Sequence, residues 1–142
     1  MSRKSLTILC VILLPLLSSA CSGGTSGSVR NASQSCRTLG GSGSCDGHLG
    51  RLSGTYGIDV EDEGISPSDL ILVEINVSVE LGSVRVSLKG TDGDETSTEV
   101  NPGVSQQISG FAQGEFDGFE IVLEALSESV EGLTYSLSYA IQ

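Results

Sequence analysis

The chain has 142 residues, of which 18 are acidic and 7 basic, with a net charge of −11, four cysteines, one histidine and no tryptophan. This length allows one domain, since soluble domains usually contain about 100 to 200 residues. The acidic excess excludes a nucleic-acid binder that relies on a basic surface. A hydrophobic content of 38% with 18% charged residues excludes a chain that is disordered throughout.

The N-terminal segment has the order of parts of an export signal. Arg3 and Lys4 form a short basic segment, residues 6–17 are mostly apolar, and small residues follow at 18–20. A helix that spans a bilayer needs about 20 apolar residues, so this run is too short for a stable membrane anchor. We therefore predict a signal peptide over residues 1–20.

The signal ends in the sequence Leu16-Leu17-Ser18-Ser19-Ala20-Cys21. This sequence resembles the lipobox of bacterial lipoproteins, a family in which a peptidase cuts just before a cysteine whose sulfur carries a diacylglycerol. The resemblance covers only the N-terminal segment. It implies that Cys21 is the lipidated N-terminus, anchored in a membrane, and Ser22 in place of Asp implies an outer-membrane or cell-surface destination. The family most often has leucine where this chain has Ser18, and Ser18-x-Ala20 also suits an ordinary signal peptidase, which would release a soluble secreted protein.

Cysteine parity favours the lipidated form. Cys10 leaves with the signal, and three cysteines remain, which gives an exported chain one free thiol. Acylation of Cys21 would leave an even pair. We predict a disulfide between Cys36 and Cys45, because oxidising compartments favour disulfides.

Residues 21–48 are predicted to be a flexible tether that carries this disulfide loop. Residues 22–35 are rich in serine and glycine and show no apolar periodicity. The alternative for the loop is a metal site made of Cys36, Cys45, Asp46 and His48. Zinc ligands usually come in pairs about two to four residues apart, and only Cys45 and His48 come close to that spacing.

From about residue 49 the apolar residues recur at every second position, as is typical of strands with one buried face. The clearest run places Ile71, Val73, Ile75, Val77, Val79 and Leu81 on one face. Other runs occupy residues 51–60, 84–88, 119–125 and 133–141, with weaker candidates at 95–100 and 104–111. We predict an all-β domain over residues 49–142, a small antiparallel β-sandwich of about seven strands.

Three segments of this domain resemble the pre-peptidase C-terminal type of bacterial β-sandwich. They are Val84-Arg85-Val86-Ser87-Leu88, the Asp-rich turn at 92–94, and Tyr135-Ser136-Leu137-Ser138-Tyr139. The resemblance spans residues 79–139 at the level of pattern. It implies an accessory or binding module and not a catalyst.

The sequence contains none of four motifs that are typical of catalytic, nucleotide-binding or redox sites. It lacks G-x-S-x-G, G-x-x-x-x-G-K-[ST], G-x-G-x-x-G and C-x-x-C. A serine triad would have to use His48, the only histidine, in a Gly-rich loop. We therefore predict that the chain is not an enzyme, with no catalytic, metal or cofactor-binding residues and no cofactor, and keep a hydrolase as a minor alternative.

Two acidic clusters, at 59–63 and 92–95, raise the alternative of calcium. Asp92-x-Asp94 begins like an EF-hand loop, but Ser97 and Gly103 stand where that loop needs Gly and Glu. From Asp46 onward the net charge is −15, which would repel anionic membranes, suit a salty medium or attract a basic partner.

The leading interpretation is a surface-anchored envelope lipoprotein that acts through binding or envelope structure, with an unknown protein or glycan partner and no nucleic acid. The alternative is a calcium-dependent carbohydrate- or protein-binding module, secreted or tethered.

Overall fold

The computed structural model describes residues 26–142. The predicted signal peptide and Cys21 lie outside the described residues, so these two assignments stay predictions. No helix within residues 26–142 is both long and apolar enough to cross a membrane.

The described chain is built almost entirely of strands, which confirms the predicted antiparallel β-sandwich. It has nine strands where the sequence predicts about seven. They are β1 Ser28–Thr38, β2 Ser42–Ser53, β3 Thr55–Glu61, β4 Leu70–Ser78, β5 Val84–Lys89, β6 Glu95–Val100, β7 Gln106–Gln113, β8 Gly118–Ala125 and β9 Val130–Ile141. A single helical turn lies at Thr91–Gly93, between β5 and β6.

The strands form two antiparallel sheets. One has five strands in the order β1-β2-β9-β4-β7, and the other has four in the order β3-β8-β5-β6. Within the first sheet Ile75 lies opposite both Ile108 and Leu137, so one row of apolar side chains crosses three strands. Alternate residues of each central strand are buried between the sheets, as their period-two pattern predicts.

The predicted tether is wrong for residues 28–48, which belong to β1 and β2. β1 pairs with β2 from Ser28 to Thr38, and β2 pairs in turn with β9. β1 carries no apolar alternation because it is an edge strand, and all of its residues except Val29 are exposed. A strand with two wet faces has the same polar composition as a linker.

The glycines of β2 serve packing and not flexibility. A Cβ at Gly47 would overlap the ring of Tyr135, and a Cβ at Gly43 would crowd the hydroxyl end of Tyr139. Both tyrosines lie on the neighbouring strand β9 and are buried. Glycine is therefore required at these two positions of the strand, because the tyrosines occupy the space that a side chain would need.

One row of the five-stranded sheet departs from regular pairing. Ladder pairing skips Asn31, Gly50 and Gly132, which lie in register on β1, β2 and β9. Asn31 and Gly132 have positive φ, at 54° and 61°. The buried set of β9 changes phase at this row, from Val130 to Leu133, as it does at a β-bulge.

The strand directions divide the loops between two ends of the sandwich. Ser26 and the loops 79–83, 101–105 and 126–129 lie at one end, which we name the proximal end. The loops 39–41, 62–69, 90–94 and 114–117 lie at the other, which we name the distal end. β1 alone, with 11 residues, spans about 33 Å between them.

Candidate functional site

Two clefts open at the distal end on either side of Phe116. The first, of about 640 Å³, lies between the 90–94 and 114–117 loops. The second, of about 650 Å³, lies between the 39–41, 62–69 and 114–117 loops. Phe116 lines both clefts and is 85% exposed, the largest exposure of any large apolar side chain in residues 26–142. A ring held this far into water between two concave surfaces is available to a partner.

The clefts are strongly acidic. Their acidic residues are Glu61, Asp62, Glu63, Asp94, Glu95, Glu115, Asp117 and Glu120, and the basic one is Lys89. The acidic clusters at 59–63 and 92–95 are far apart in the sequence. The sandwich topology brings both to the distal end, together with Glu115 and Asp117.

Glu120, which lines the first cleft, is partly buried and close to other carboxylates. The pKa of Glu120 is raised, chiefly by burial and then by the charge of Asp59, with Lys89 acting in the opposite direction and Glu115 adding to the rise. A cationic group in this cleft would relieve the repulsion, because an opposite charge favours the ionised form.

Asp62 connects the segments that surround the second cleft through its hydrogen bonds. It is buried, and its carboxylate accepts hydrogen bonds from the Gly41 N–H, the Gly64 N–H and the Tyr139 hydroxyl, each at 2.9 Å. Burial raises the pKa of Asp62, but the bonds from Gly64, Gly41 and Tyr139 outweigh it, so the pKa lies below its ordinary value. Asp62 thus joins the 39–41 loop, the 62–69 loop and β9.

The predicted disulfide between Cys36 and Cys45 is confirmed. The S–S distance is 2.07 Å, and the two residues are directly opposite each other on β1 and β2. The bond engages both sulfurs that the alternative metal site would have needed. It is typical of a protein in an oxidising compartment outside the cytoplasm.

The residues that the sequence offered as metal ligands do not come together in a metal site. His48 is exposed on β2, Asp92 lies within the exposed turn Thr91–Gly93, and Asp94 follows that turn and lines the first cleft. Within residues 26–142 no three His, Cys, Asp or Glu side chains come together as a group that could hold a metal ion. Phe116 was missed, although a phenylalanine between two acidic residues in a Gly-bounded turn is a detectable signal.

Neither a protein-family model nor a curated protein matches the chain. Solved structures do match it. Two structures of an oxalate oxidase, one with the substrate analogue glycolate and one a recombinant protein with glycolate, are 12% identical with a TM-score of 0.37. Each match covers 82% of this chain and 53% of the other, so the chain spans about half their length. A third oxalate oxidase structure is 11% identical with a TM-score of 0.38, covering 96% of this chain and 68% of that one.

These matches correct one prediction. The structures matched are of enzymes, which contradicts the prediction that this chain is not an enzyme, and we withdraw it. A likeness at TM-scores of 0.37 and 0.38 carries no argument about a reaction or substrate of this chain. The resemblances to bacterial lipoproteins and to the pre-peptidase C-terminal sandwich stay predictions.

Proposed function

We propose that this protein is an exported, lipid-anchored envelope protein that holds an acidic binding surface away from the membrane. Its anchor is a lipid on Cys21, and its binding surface is the pair of distal clefts around Phe116. The observation that carries the proposal is that the N-terminal end of the domain and the clefts lie at opposite ends of the sandwich. The chain enters the sandwich at Ser26, about 33 Å from the clefts.

The short linker and the charge support this orientation. Residues 22–25 separate Cys21 from Ser26, so a lipid on Cys21 would keep the proximal end near the bilayer. Leu81, Val104 and Leu126 are exposed at that end, where apolar side chains can contact lipid headgroups. The acidic remainder of the domain is repelled by an anionic membrane and points outward.

The chemistry of the clefts favours a basic partner. Carboxylates on both sides of Phe116 would pair with lysine or arginine side chains, and the ring would accept a cation on its face. A peptide segment rich in arginine or lysine, in a protein of the envelope or its surroundings, is the partner class that this surface fits.

The anchor is tested by mass spectrometry of the N-terminus of the mature protein from its host. We expect cleavage before Cys21 and the mass of an acylated cysteine, and we expect Cys21→Ala to move the protein from the membrane to the soluble fraction. An unmodified Cys21 in the mature protein would remove the anchor from the proposal.

The binding surface is tested by calorimetry of the full chain with an oligoarginine peptide. Phe116→Ala should weaken binding about tenfold or more, the loss of about 1.4 kcal/mol. Phe111→Ala is the matched control, since Phe111 is also exposed but lies on β7 outside the cleft linings. Equal effects of the two substitutions would show that attraction is a property of net charge and not of the clefts.

A further inference from the structure

On one long side of the sandwich, the edge strand β1 of the five-stranded sheet projects beyond the edge strand β3 of the four-stranded sheet, and we name this offset the step. We propose that two copies of this chain join at the step in a symmetric dimer. The five-stranded sheet ends at β1 on this side, and the four-stranded sheet ends at β3. Within residues 26–142 no strand pairs with the outer edge of either β1 or β3. Unpaired strand edges are templates for a further strand, and proteins usually block or fill them.

β1 overhangs the four-stranded sheet. Cys36 lies on the inner face of β1, because its disulfide partner Cys45 is in the core, yet Cys36 is exposed. At Cys36, the inner face of β1 is therefore not covered by a strand of the opposite sheet. A groove of about 410 Å³ runs beneath it, lined by residues of β1 and β3. This groove occupies the place that a fifth strand beside β3 would take.

A second copy fits the step when it is related by a two-fold axis parallel to the strands. That rotation exchanges the two layers, so β1 of each copy lies beside β3 of the other. Each overhanging β1 then occupies the vacant place next to the other copy's β3, and the five-stranded sheet of one copy continues into the four-stranded sheet of the other. The contact is isologous and closes at two subunits.

Charge agrees with this arrangement. Arg37 is on the outer face of β1, since it alternates with the inward Cys36, and Asp59 and Glu61 are on the outer face of β3, since they alternate with buried Ile58 and Val60. Cys36, Thr38, Asp59 and Glu61 line one groove and so lie at one height. Rotation about an axis along the strands preserves height, and each Arg37 meets the other copy's Asp59 and Glu61 on one surface.

Gln34 occupies the position that the second copy's backbone would take. Its side-chain Nε2 donates to the Asp59 carbonyl at 3.0 Å, and its Oε1 accepts from the Tyr135 hydroxyl at 3.0 Å. The Asp59 carbonyl is on the free edge of β3, and a strand paired there would supply an N–H in place of the Gln34 amide. Both edges thereby gain ladder hydrogen bonds, while the charges select the partner strand.

The competing arrangement pairs β1 of one copy with β1 of the other in antiparallel fashion. It would put Arg30 and Arg37 of both copies on one ladder, with no acidic residue on either β1. Like charges on neighbouring strands destabilise a pairing, so this arrangement is disfavoured.

Sedimentation equilibrium of the full chain, in density-matched detergent with micelles in excess over protein, tests the dimer. At about 0.15 M salt the screening length is about 8 Å. Repulsion between the net charges of the two copies is therefore screened, whereas ion pairs in direct contact at the step are not. Arg37→Glu alone and the pair Asp59→Lys with Glu61→Lys alone should each raise the dimer Kd about tenfold or more. The three substitutions together should restore most of the affinity.

Lys89→Glu is the control, because it makes the same charge change at an exposed position on β5, away from the step. It should leave the dimer Kd within about threefold of the parent. Each variant is checked for an unchanged thermal unfolding midpoint, which the exposure of all these side chains leads us to expect. A chain that stays monomeric up to about 0.1 mM, a tighter dimer with Arg37→Glu, or failure of the triple variant to recover would overturn the proposal.

Discussion

At the scale of single residues, Asp62 holds the distal end together. Its carboxylate satisfies two backbone N–H groups and one tyrosine hydroxyl, and among the acidic side chains of residues 26–142 it is the one that is buried. Removal of a buried acceptor costs more than removal of one of its donors, because every donor then loses its partner.

Asp62→Ala should therefore lower the free energy of unfolding by about 2 to 4 kcal/mol, and Tyr139→Phe by about 1 kcal/mol. Urea unfolding of the two variants measures the difference. Asp59→Ala, at an exposed acidic residue of the neighbouring strand, should stay within about 0.5 kcal/mol of the parent. If Asp62→Ala were no worse than Tyr139→Phe, the carboxylate would not be the centre of this network.

The pKa of Asp62 predicts how stability depends on pH. The folded-state pKa lies below the ordinary value of 3.8, so the unfolded chain takes up the proton first as pH falls. The stabilisation is fully present above about pH 4 and is lost as pH falls through the folded-state pKa. Asp62→Asn should remove this part of the acid dependence, so the two unfolding free energies should converge below about pH 4. Parallel profiles for the two proteins would contradict the assignment.

At the scale of secondary-structure elements, the edge strand β1 depends on its disulfide. Both faces of β1 are largely exposed, so little burial holds it on the sheet, whereas β9 is buried on one face along its length. The Cys36–Cys45 bond closes a short loop, and the chain-entropy model gives such a bond up to about 2.7 kcal/mol.

We expect the disulfide to act locally. In the double variant Cys36→Ala with Cys45→Ala, hydrogen exchange at the amides that β1 donates to β2 should become much faster, with smaller changes in β4 and β9. Exchange measured by mass spectrometry resolves these segments, and the parent protein with and without reductant provides the control. Equal acceleration in β1 and β4 would show that the bond supports the whole domain and not the edge.

The elements also show where prediction from sequence succeeds. β4, β5, β8 and β9 are predicted because one face of each is buried, and burial imposes a period of two on the sequence. β1 and most of β2 are missed because both faces of β1 are exposed and β2 has glycine opposite tyrosine rings. The predicted run 51–60 joins the end of β2 to β3 across Gly54. Burial of one face of a strand produces a periodic pattern of apolar residues in the sequence. An exposed edge strand that is held by backbone pairing has no such pattern.

At the scale of the whole molecule, charge is distributed unevenly. Residues 28–53 carry three arginines and Asp46 as the one acidic residue, whereas the remaining 17 acidic residues lie in residues 54–142. This division of charge can be read from the sequence, but the positions of the charged residues in the folded domain cannot. The sandwich places the basic hairpin on one long side and gathers the acidic loops at the distal end, so the candidate site exists only after non-consecutive loops meet.

This geometry predicts which end of the molecule faces the membrane. Val104 is exposed in the proximal 101–105 loop, and Phe116 is exposed at the distal end. We compare Val104→Cys and Phe116→Cys, each labelled with the same fluorophore in the lipid-anchored protein on vesicles that carry a headgroup quencher. The label at 104 should be quenched strongly and the label at 116 little, because about 33 Å of strand separates the two ends. The labelled proteins in detergent without quencher lipid are the reference. Equal quenching at the two positions would mean that the strands lie parallel to the membrane surface. The clefts would then lie close to that surface, which would contradict the proposed orientation.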